Sequence, residues 1–316
     1  MEKDIYNIAV LIPCYNEGQT IKKVVEDFSR EFPNSKVYVY DNNSSDGSAE
    51  IAAAAGGIVK KERRQGKGNV VRSMFRDIVA DCYILVDADD TYSAEDAHKL
   101  VNLIRNENVD MAVGDRLSTT YFTENKRPFH NFGNRLVRNL IRKLFKTNIN
   151  DIMTGYRAFS YNFVKGFPVL SNGFEIETEM TIHAVYNNFN IIEIPVRYRD
   201  RPDGSNSKLN TYRDGARVIS TIITLFKEYK PTVFFNAICT IFSIVGIILI
   251  VPPFDEYYRL GHITMYPRLF VGWFLIVIGL LNMITGIILD VICKKMRQNY
   301  ELYMNMLKIE HTGNKG

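Results

Sequence analysis

The residues best suited to chemistry are Asp87-Ala88-Asp89-Asp90, in CYILVDADDTYSAED, where three carboxylates follow directly on an apolar run. Two carboxylates one residue apart, presented where a buried strand ends, offer hard oxygen ligands. Mg2+ favours one or two carboxylates completed by substrate phosphates and water, so Asp87 and Asp89 are candidate metal ligands, with Asp90 as an extra. A second reading is a solvated turn before a helix N-terminus, where acidic residues are common. Ser93, with Glu95 and Asp96 behind it, would start that helix. A DxD pattern is short and arises by chance, so both readings stand on this stretch alone.

Positioning such a pair requires a sheet. Residues 1 to about 115 alternate short β-like runs with helical patterns, which predicts a parallel sheet flanked by helices. The strands are expected at Ile5 to Ile12, Lys36 to Tyr40, Gly57 to Lys60, Cys82 to Val86 and Asp110 to Gly114, with helices near 19–31, 46–55, 68–79 and 94–106. Ligands of open α/β sheets bind beyond the carboxyl ends of the strands. Polar clusters sit at three of those ends: PCYNEG, DNNSSDGS and DADD. One shared site is therefore expected. Farther on, Ile192, Ile194, Val196 and Tyr198 alternate with charged residues as a half-buried strand would.

Between these regions, Phe132, Leu136, Leu140 and Leu144, with Val137, Ile141 and Phe145, repeat at helical spacing beside Arg135, Arg138, Arg142, Lys143 and Lys146. This fits a helix in the membrane interface and equally an amphipathic helix packed on the sheet. Val233 to Val251 and Leu269 to Leu289 carry no formal charge, and each is long enough to span a bilayer core. Lys227 and Lys230 precede the first run, while Lys294, Lys295 and Arg297 follow the second, so the positive-inside rule puts both flanks and the N-terminal portion in the cytoplasm. The expected divisions are a catalytic portion over 1–208, an amphipathic juxtamembrane helix over 209–231, two spans over 232–292 and a tail over 293–316. The net charge of +4 is mild. It argues against a nucleic-acid partner and suits an anionic membrane face. The four cysteines are far apart with no metal spacing and read as reduced structural thiols.

The motifs LIPCYNEGQTI, YDNNSSDGSAE, GKGNVVR, LVDADD and TGYRAF stand in the order seen in family 2 glycosyltransferases of GT-A fold. With the two C-terminal spans, the chain resembles the polyprenyl-phosphate glycosyltransferases, the group of dolichol-phosphate mannose synthase and undecaprenyl-phosphate glucosyltransferases. The resemblance implies that Pro13 and Glu17 form a nucleotide-contacting turn, that Asp41 reads base and ribose, and that Asp46 shapes that loop. It implies that Lys67 contacts the nucleotide and that Asp87 and Asp89 hold the metal and diphosphate. Gly66-Lys67-Gly68-Asn69 is not a Walker A loop, since Lys61 stands at the first glycine position and no Ser or Thr follows Lys67. Thr91 occupies the place of a Gln that serves as a further metal contact in the dolichol-type enzymes, so the Thr91 hydroxyl is a candidate ligand.

An acceptor phosphate monoester is mostly dianionic at neutral pH and needs cations rather than a base. Arg116, Arg135, Arg201 and Lys208 are the candidates. Asp151 and Arg157 are expected to shape the site. Glu175 and Glu177 would both face the donor sugar if GFEIETEM is a strand; an acidic helix N-terminus is the other reading. The resemblance implies an inverting, Mg2+- or Mn2+-dependent transfer of glucose or N-acetylglucosamine from a UDP-sugar to undecaprenyl phosphate. It places the chain in the plasma membrane as a multi-pass protein that self-associates. A diacylglycerol acceptor, with Glu177 as base, and a catalytically silent scaffold that binds nucleotide sugar are the rival readings. A processive polysaccharide synthase is weaker, because Trp273 lies within a span with no Arg before it.

Overall fold

The structure is a computed structural model that describes residues 6–118, 138–145, 147–201 and 211–313. It divides into two compact units, one of Met1–Ile222 with Met304–Gly316 and one of Ile223–Tyr303.

In the first unit, the strands are β1 (Ile8–Cys14), β2 (Lys36–Asp41), β3 (Ile58–Lys61), β4 (Cys82–Leu85), β5 (Met111–Asp115), β6 (Arg157–Ser160) and β7 (Ile191–Pro195). They form one sheet in the order β3-β2-β1-β4-β6-β5-β7. Only β6 is antiparallel to its neighbours, pairing Leu85 with Arg157 on one side and Val113 with Arg157 on the other. The carboxyl ends of β1, β2, β4, β5 and β7 and the amino end of β6 therefore share one edge. This is the mostly parallel GT-A architecture expected from the sequence, with β6 inserted among the parallel strands.

The helices are α1 (Ile21–Glu31), α2 (Ser48–Ala54), α3 (Lys67–Asp77), α4 (Ala97–Asn106), α5 (Tyr161–Gly166) and α6 (Ile176–Tyr186). Helix α1 buries Ile21, Val24, Val25 and Phe28, and α4 buries Ala97, Leu100, Val101 and Ile104. Each set is a single stripe at helical spacing, the side that packs on a sheet. Along β1, Val10, Ile12 and Cys14 enter one core while Ala9 and Leu11 enter the other. Both sheet faces are covered, which is why the parallel strands read as unbroken apolar runs. Of the basic segment over 132–146, residues 138–145 are described and helical, with Ile141 and Phe145 buried in the protein.

Helix α7 (Thr211–Tyr229) buries Val218, Ile222 and Leu225 along one stripe, as expected of an amphipathic helix. In the second unit, α8 (Pro231–Leu260) runs through Pro252 and Pro253, and α9 (Tyr266–Gly313) follows after a turn of five residues. The connection is thus shorter than the gap between the two uncharged runs, which end at Val251 and resume at Leu269, and the segment over 293–313 continues the second helix. The most apolar windows of α8 and α9 have mean hydropathies of 2.6 and 2.4 yet are 6 % and 11 % buried. That exposure is the reverse of a core helix and fits a lipid-facing one. The two helices approach closely at glycines: a Cβ on Gly246 would lie 2.7 Å from the Gly272 carbonyl, and one on Gly286 would lie 2.9 Å from Phe235 Cβ. Small residues at such crossings let helices pack without a hydrophobic drive.

Candidate active site

The site lies at the shared strand edge. Asp87-Ala88-Asp89 leaves β4 there, and the Thr20 hydroxyl at the start of α1 donates to the Ala88 carbonyl at 2.6 Å. Asp90 adopts a left-handed backbone, φ 57°, which turns the chain sharply after Asp89. Its carboxylate then points to Lys23 of α1, at 2.6 Å. Asp90 is therefore a surface ion-pair partner, separate in role from the two preceding carboxylates.

Asp87 and Asp89 are each held by an internal cation. The Lys67 ammonium, at the N-terminus of α3, lies 2.5 Å from Asp87 Oδ1 and 2.6 Å from Glu177 Oε1. Lys67 and Glu177 are enclosed, their side chains 9 % and 6 % exposed, while Asp87 is partly open at 28 %. Burial pushes the Asp87 carboxyl up, but Lys67, with Arg201 and Arg116 beyond it, outweighs that and holds it below the usual carboxylate range. Burial raises Glu177, against the pull of Lys67. Asp89 accepts at Oδ1 from the Thr91 hydroxyl, 2.7 Å, and at Oδ2 from Arg201, 2.7 Å. Burial and the neighbouring charge of Asp87 raise the Asp89 carboxyl despite these partners. Adjacent carboxylates drive each other's protonation apart in this way.

Arg201 reaches the site because Arg199 N–H donates to the Thr91 carbonyl at 2.9 Å and Tyr198 bridges Tyr92. The second arm of Arg201 contacts Glu17 Oε1 at 3.1 Å. Glu17 follows β1 in the turn containing Asn16, and its N–H donates to the Ser48 hydroxyl. Asp46 accepts from Gly18 N–H at 2.9 Å and from Ser48, locking the β1 and β2 turns together, which is the loop-shaping role expected of it. Pro13 lies in the last part of β1 beside Tyr40, and Asp41 ends β2, buried, accepting from Ser44 N–H. Pro13, Glu17, Asp41, Lys67, Asp87, Asp89, Thr91 and Arg201 thus gather at one edge.

Arg116, just after β5, is paired with buried Asp151 at 2.9 Å, donates to the Met153 carbonyl at 3.1 Å and lies 5.7 Å from the Tyr198 ring centre. Asp151 is the group that fixes Arg116, a shaping role. Arg157 is fully buried and donates to the Ile152 and Thr154 carbonyls and the Thr181 hydroxyl, clamping the 152–154 loop onto α6. Burial lowers its pKa to about 10. Arg135 and Lys208 lie outside the described residues.

GFEIETEM is a helix start, not a strand. Glu175 precedes α6 and accepts from Asn172 and Gly173 N–H, while Glu179 accepts from Leu170 and Ser171 N–H. Residues two apart on a helix do not face the same way. Of the three, Glu177 is the one in contact with Lys67, and on the helix reading Glu175 does not share its direction.

Several positions carry roles that the sequence did not single out. Asn42 donates to the Glu62 and Arg64 carbonyls and accepts from Gly66 N–H at 2.7 Å, holding the loop that delivers Lys67. Its place beside Asp41 in a polar strand-end cluster was the available signal. Arg72 donates to the Val169, Leu170 and Ser171 carbonyls, a contact with no local signature. A Cβ on Gly66 or Gly68 would strike the Asn172 or Ser171 carbonyl, so the two glycines flanking Lys67 admit that loop. Likewise, Gly155 leaves room for the Asp87 carboxylate, which a Cβ there would strike.

Among the described residues no three His, Cys, Asp or Glu side chains are grouped to hold a metal by themselves. Asp87 and Asp89 supply hard oxygen donors of the right chemistry, and the rest of an ion's shell would have to come from a ligand and water.

Comparison with known proteins agrees with this architecture. Residues 9–166, half of the chain, match the model described as Glycosyl transferase family 2. The chain is similar to Glycosyltransferase AglJ of Haloferax volcanii, 33 % identical over 233 residues that cover 73 % of this chain and 76 % of that one. It is also similar to the Dolichyl-phosphate hexose transferase of the same organism, 28 % identical over 224 residues that cover 71 % of this chain and 96 % of that one. A solved structure of glucosyl-3-phosphoglycerate synthase from Mycobacterium tuberculosis, in complex with Mn2+, uridine-diphosphate-glucose and phosphoglyceric acid, shares the fold with a TM-score of 0.57 at 20 % identity, covering 70 % of this chain and 80 % of that one. With its family model matched over half its length and a relative 33 % identical over 73 % of it, this chain belongs to the family 2 glycosyl transferases.

Proposed function

We propose that the protein transfers a sugar from a UDP-sugar to a polyprenyl phosphate, with inversion, at the cytoplasmic face of a membrane crossed by α8 and α9. The observation that carries the reading is the grouping of Asp87 and Asp89 with Lys67, Arg116 and Arg201 at the strand edge. Carboxylates for a cation and guanidinium groups for a second phosphate meet there, and a phosphate acceptor has need of both. The relative named as a dolichyl-phosphate hexose transferase supports this acceptor class. The neighbour crystallised with Mn2+ and uridine-diphosphate-glucose supports the donor and the ion.

In this reading Pro13, Glu17 and Asp41 border the nucleotide, and Asp87 and Asp89 hold Mg2+ or Mn2+, with Thr91 orienting Asp89 through its hydroxyl. The bound ion would neutralise charge on the departing diphosphate. Lys67 keeps Asp87 ionised and adds positive charge beside the diphosphate. An acceptor phosphate oxygen attacks the anomeric carbon as the bond to the diphosphate breaks, and UDP leaves from the opposite face. The acceptor arrives as an anion and needs no general base. Arg116, fixed by Asp151, offers a rigid fork for it, and Arg201 a movable one.

The basic flanks of α8 and α9 support a cytoplasmic position for the catalytic portion, 1–208. The test is a donor screen of the purified protein with undecaprenyl phosphate and Mn2+, read by the mass of the lipid product. A phosphate-linked sugar from a UDP donor is the expected result, with Asp89→Ala inactive. Transfer to diacylglycerol instead, or tight UDP binding with no transfer from any donor, would overturn the reading.

A further inference from the structure

We infer that Arg201 is a resident counter-ion of Asp89 and that the donor's divalent cation takes its place, freeing the guanidinium for the acceptor phosphate. This rests on the reading above of Asp87 and Asp89 as the cation's ligands. Both Asp89 oxygens are engaged: Oδ1 by Thr91, at 2.7 Å, and Oδ2 by Arg201, at 2.7 Å. Each oxygen keeps a second lone pair, but a cation at Oδ2 would meet the like charge of the Arg201 guanidinium, whereas Thr91 presents only a neutral hydroxyl at Oδ1.

Thr91 has little freedom to yield. It is 1 % exposed, two residues along from Asp89, and follows a turn fixed by the left-handed backbone of Asp90 and the Asp90–Lys23 ion pair. Arg201 has freedom of a different order. Its side chain is 26 % exposed and long, and its other arm is anchored 3.1 Å from Glu17. Glu17 can serve as a pivot, so the guanidinium leaves Asp89 without losing every partner. The backbone beneath it stays in place through the Arg199–Thr91 hydrogen bond and the Tyr92–Tyr198 bridge. A divalent cation and a guanidinium cannot share one carboxylate oxygen without strong like-charge repulsion. Lys67, enclosed between Asp87 and Glu177 at 2.5 and 2.6 Å, is not the group displaced.

The exchange imposes an order. While the donor is absent, Arg201 is held by two carboxylates and is unavailable to an acceptor phosphate. Donor and cation therefore bind first, and the acceptor meets a guanidinium only where a sugar is ready to move.

The test uses the full chain in detergent with UDP, and counts free Mn2+ by electron paramagnetic resonance. Arg201→Gln removes the competitor and is expected to tighten Mn2+ binding roughly tenfold, equivalent to about 1.4 kcal/mol. Arg199→Gln removes a nearby charge but leaves the bridge, and is expected to change Mn2+ affinity less than about twofold. In the unaltered protein, phenylglyoxal modification of Arg201, read by peptide mass, should rise when Mn2+ and UDP are added together. That second measurement holds even where the Gln variant folds poorly. Unchanged or weaker Mn2+ binding by Arg201→Gln, or equal tightening by Arg199→Gln, overturns the exchange. Flat Arg201 reactivity, in a protein that binds Mn2+ through Asp89, overturns it too. Absence of Mn2+ binding to the unaltered protein, or binding undiminished by Asp89→Ala, instead sinks the cation site itself and the exchange with it.

Discussion

Replacing Lys67 with Met tests whether the ionic contact beneath the site is truly enclosed. The substitution keeps the bulk of the side chain and removes the charge that touches Asp87 at 2.5 Å and Glu177 at 2.6 Å. Breaking a buried pair from one side costs about 3–5 kcal/mol, because the partner is left as an uncompensated buried charge. Here Glu177 is left buried without its cation, while Asp87 is partly exposed and keeps Arg201 and Arg116 nearby, and the escape is for a carboxylate to take a proton. Glu177, already raised by burial, is the group that takes it. Holding a carboxyl neutral costs about 1.36 kcal/mol for each pH unit above its ordinary value near 4.3, so the escape costs about 5 kcal/mol at pH 8 and about 1 kcal/mol at pH 5. The sign follows from a folded-state pKa above the unfolded one: stability is full below the unfolded value and declines as pH rises toward the folded one. Lys67→Met is therefore expected to lose about 3–5 kcal/mol at pH 8 and about 1 kcal/mol at pH 5, relative to the unaltered protein at the same pH. The buried thiols of Cys14 and Cys82, in β1 and β4, report on the sheet unit directly. Their labelling across a urea series, read by peptide mass, gives the unfolding free energy of that unit apart from the apolar helices. Adding Glu177→Leu should recover most of the loss at pH 8 and flatten its pH dependence. A loss below about 1 kcal/mol with no dependence on pH would mean that the three groups behave as a solvated surface pair, and would refute the argument.

Two further substitutions test the packing around the site. Gly155→Ala would drive a methyl group into the Asp87 carboxylate; a drop in kcat/KM of about 100-fold is expected, with the Cys14 and Cys82 labelling profile retained. Activity within about threefold of the original would show that Asp87 tolerates displacement. His183 is buried among Phe163, Phe167 and Phe189, and burial lowers its pKa to about 4. The unfolded chain takes up that proton near pH 6.5 and the folded one resists it, so folding loses up to about 3 kcal/mol as pH falls from 6.5 to 4. His183→Leu should remove that share of the acid loss, measured against its own stability at pH 7.5; an unchanged acid limb would show that His183 is solvated.

The sheet was legible where strands are parallel and sequential. β1, β2, β3 and β4 follow one another with helices between, and polar clusters mark their ends, so each boundary fell within a few residues. β6 escaped because Arg157–Ser160 is four residues long and pairs with β4 and β5, which lie far away in sequence. Its arrival brings the 151–155 loop to the site edge, and with it Asp151 and Gly155. GFEIETEM was ambiguous for a physical reason: acids two apart suit one face of a strand and also the first turn of a helix. On the helix they separate, and Glu175, Glu177 and Glu179 serve different partners. The Pro252-Pro253 pair reads as a break, yet α8 continues past it, as apolar helices packed on a neighbour can do.

What local sequence could not reveal is the pairing of charge across distance. Lys67 and Glu177 are 110 residues apart, and Glu17 and Arg201 are 184 apart. Within these contacts Asp87, Glu177, Asp89, Glu17 and Asp151 face Lys67, Arg201 and Arg116. The set carries two more negative charges than positive ones, and burial first, with the neighbouring charge of Asp87 second, raises the carboxyls of Asp89 and Glu177. Acids at a strand end are thus kept apart from one another by cations supplied from α3, the β5 end and the segment after β7. An excess of two negative charges is what a divalent cation neutralises. Under the proposed reading the same carboxylates would repel a phosphate that arrives before a cation, which is why the acceptor is expected to bind second.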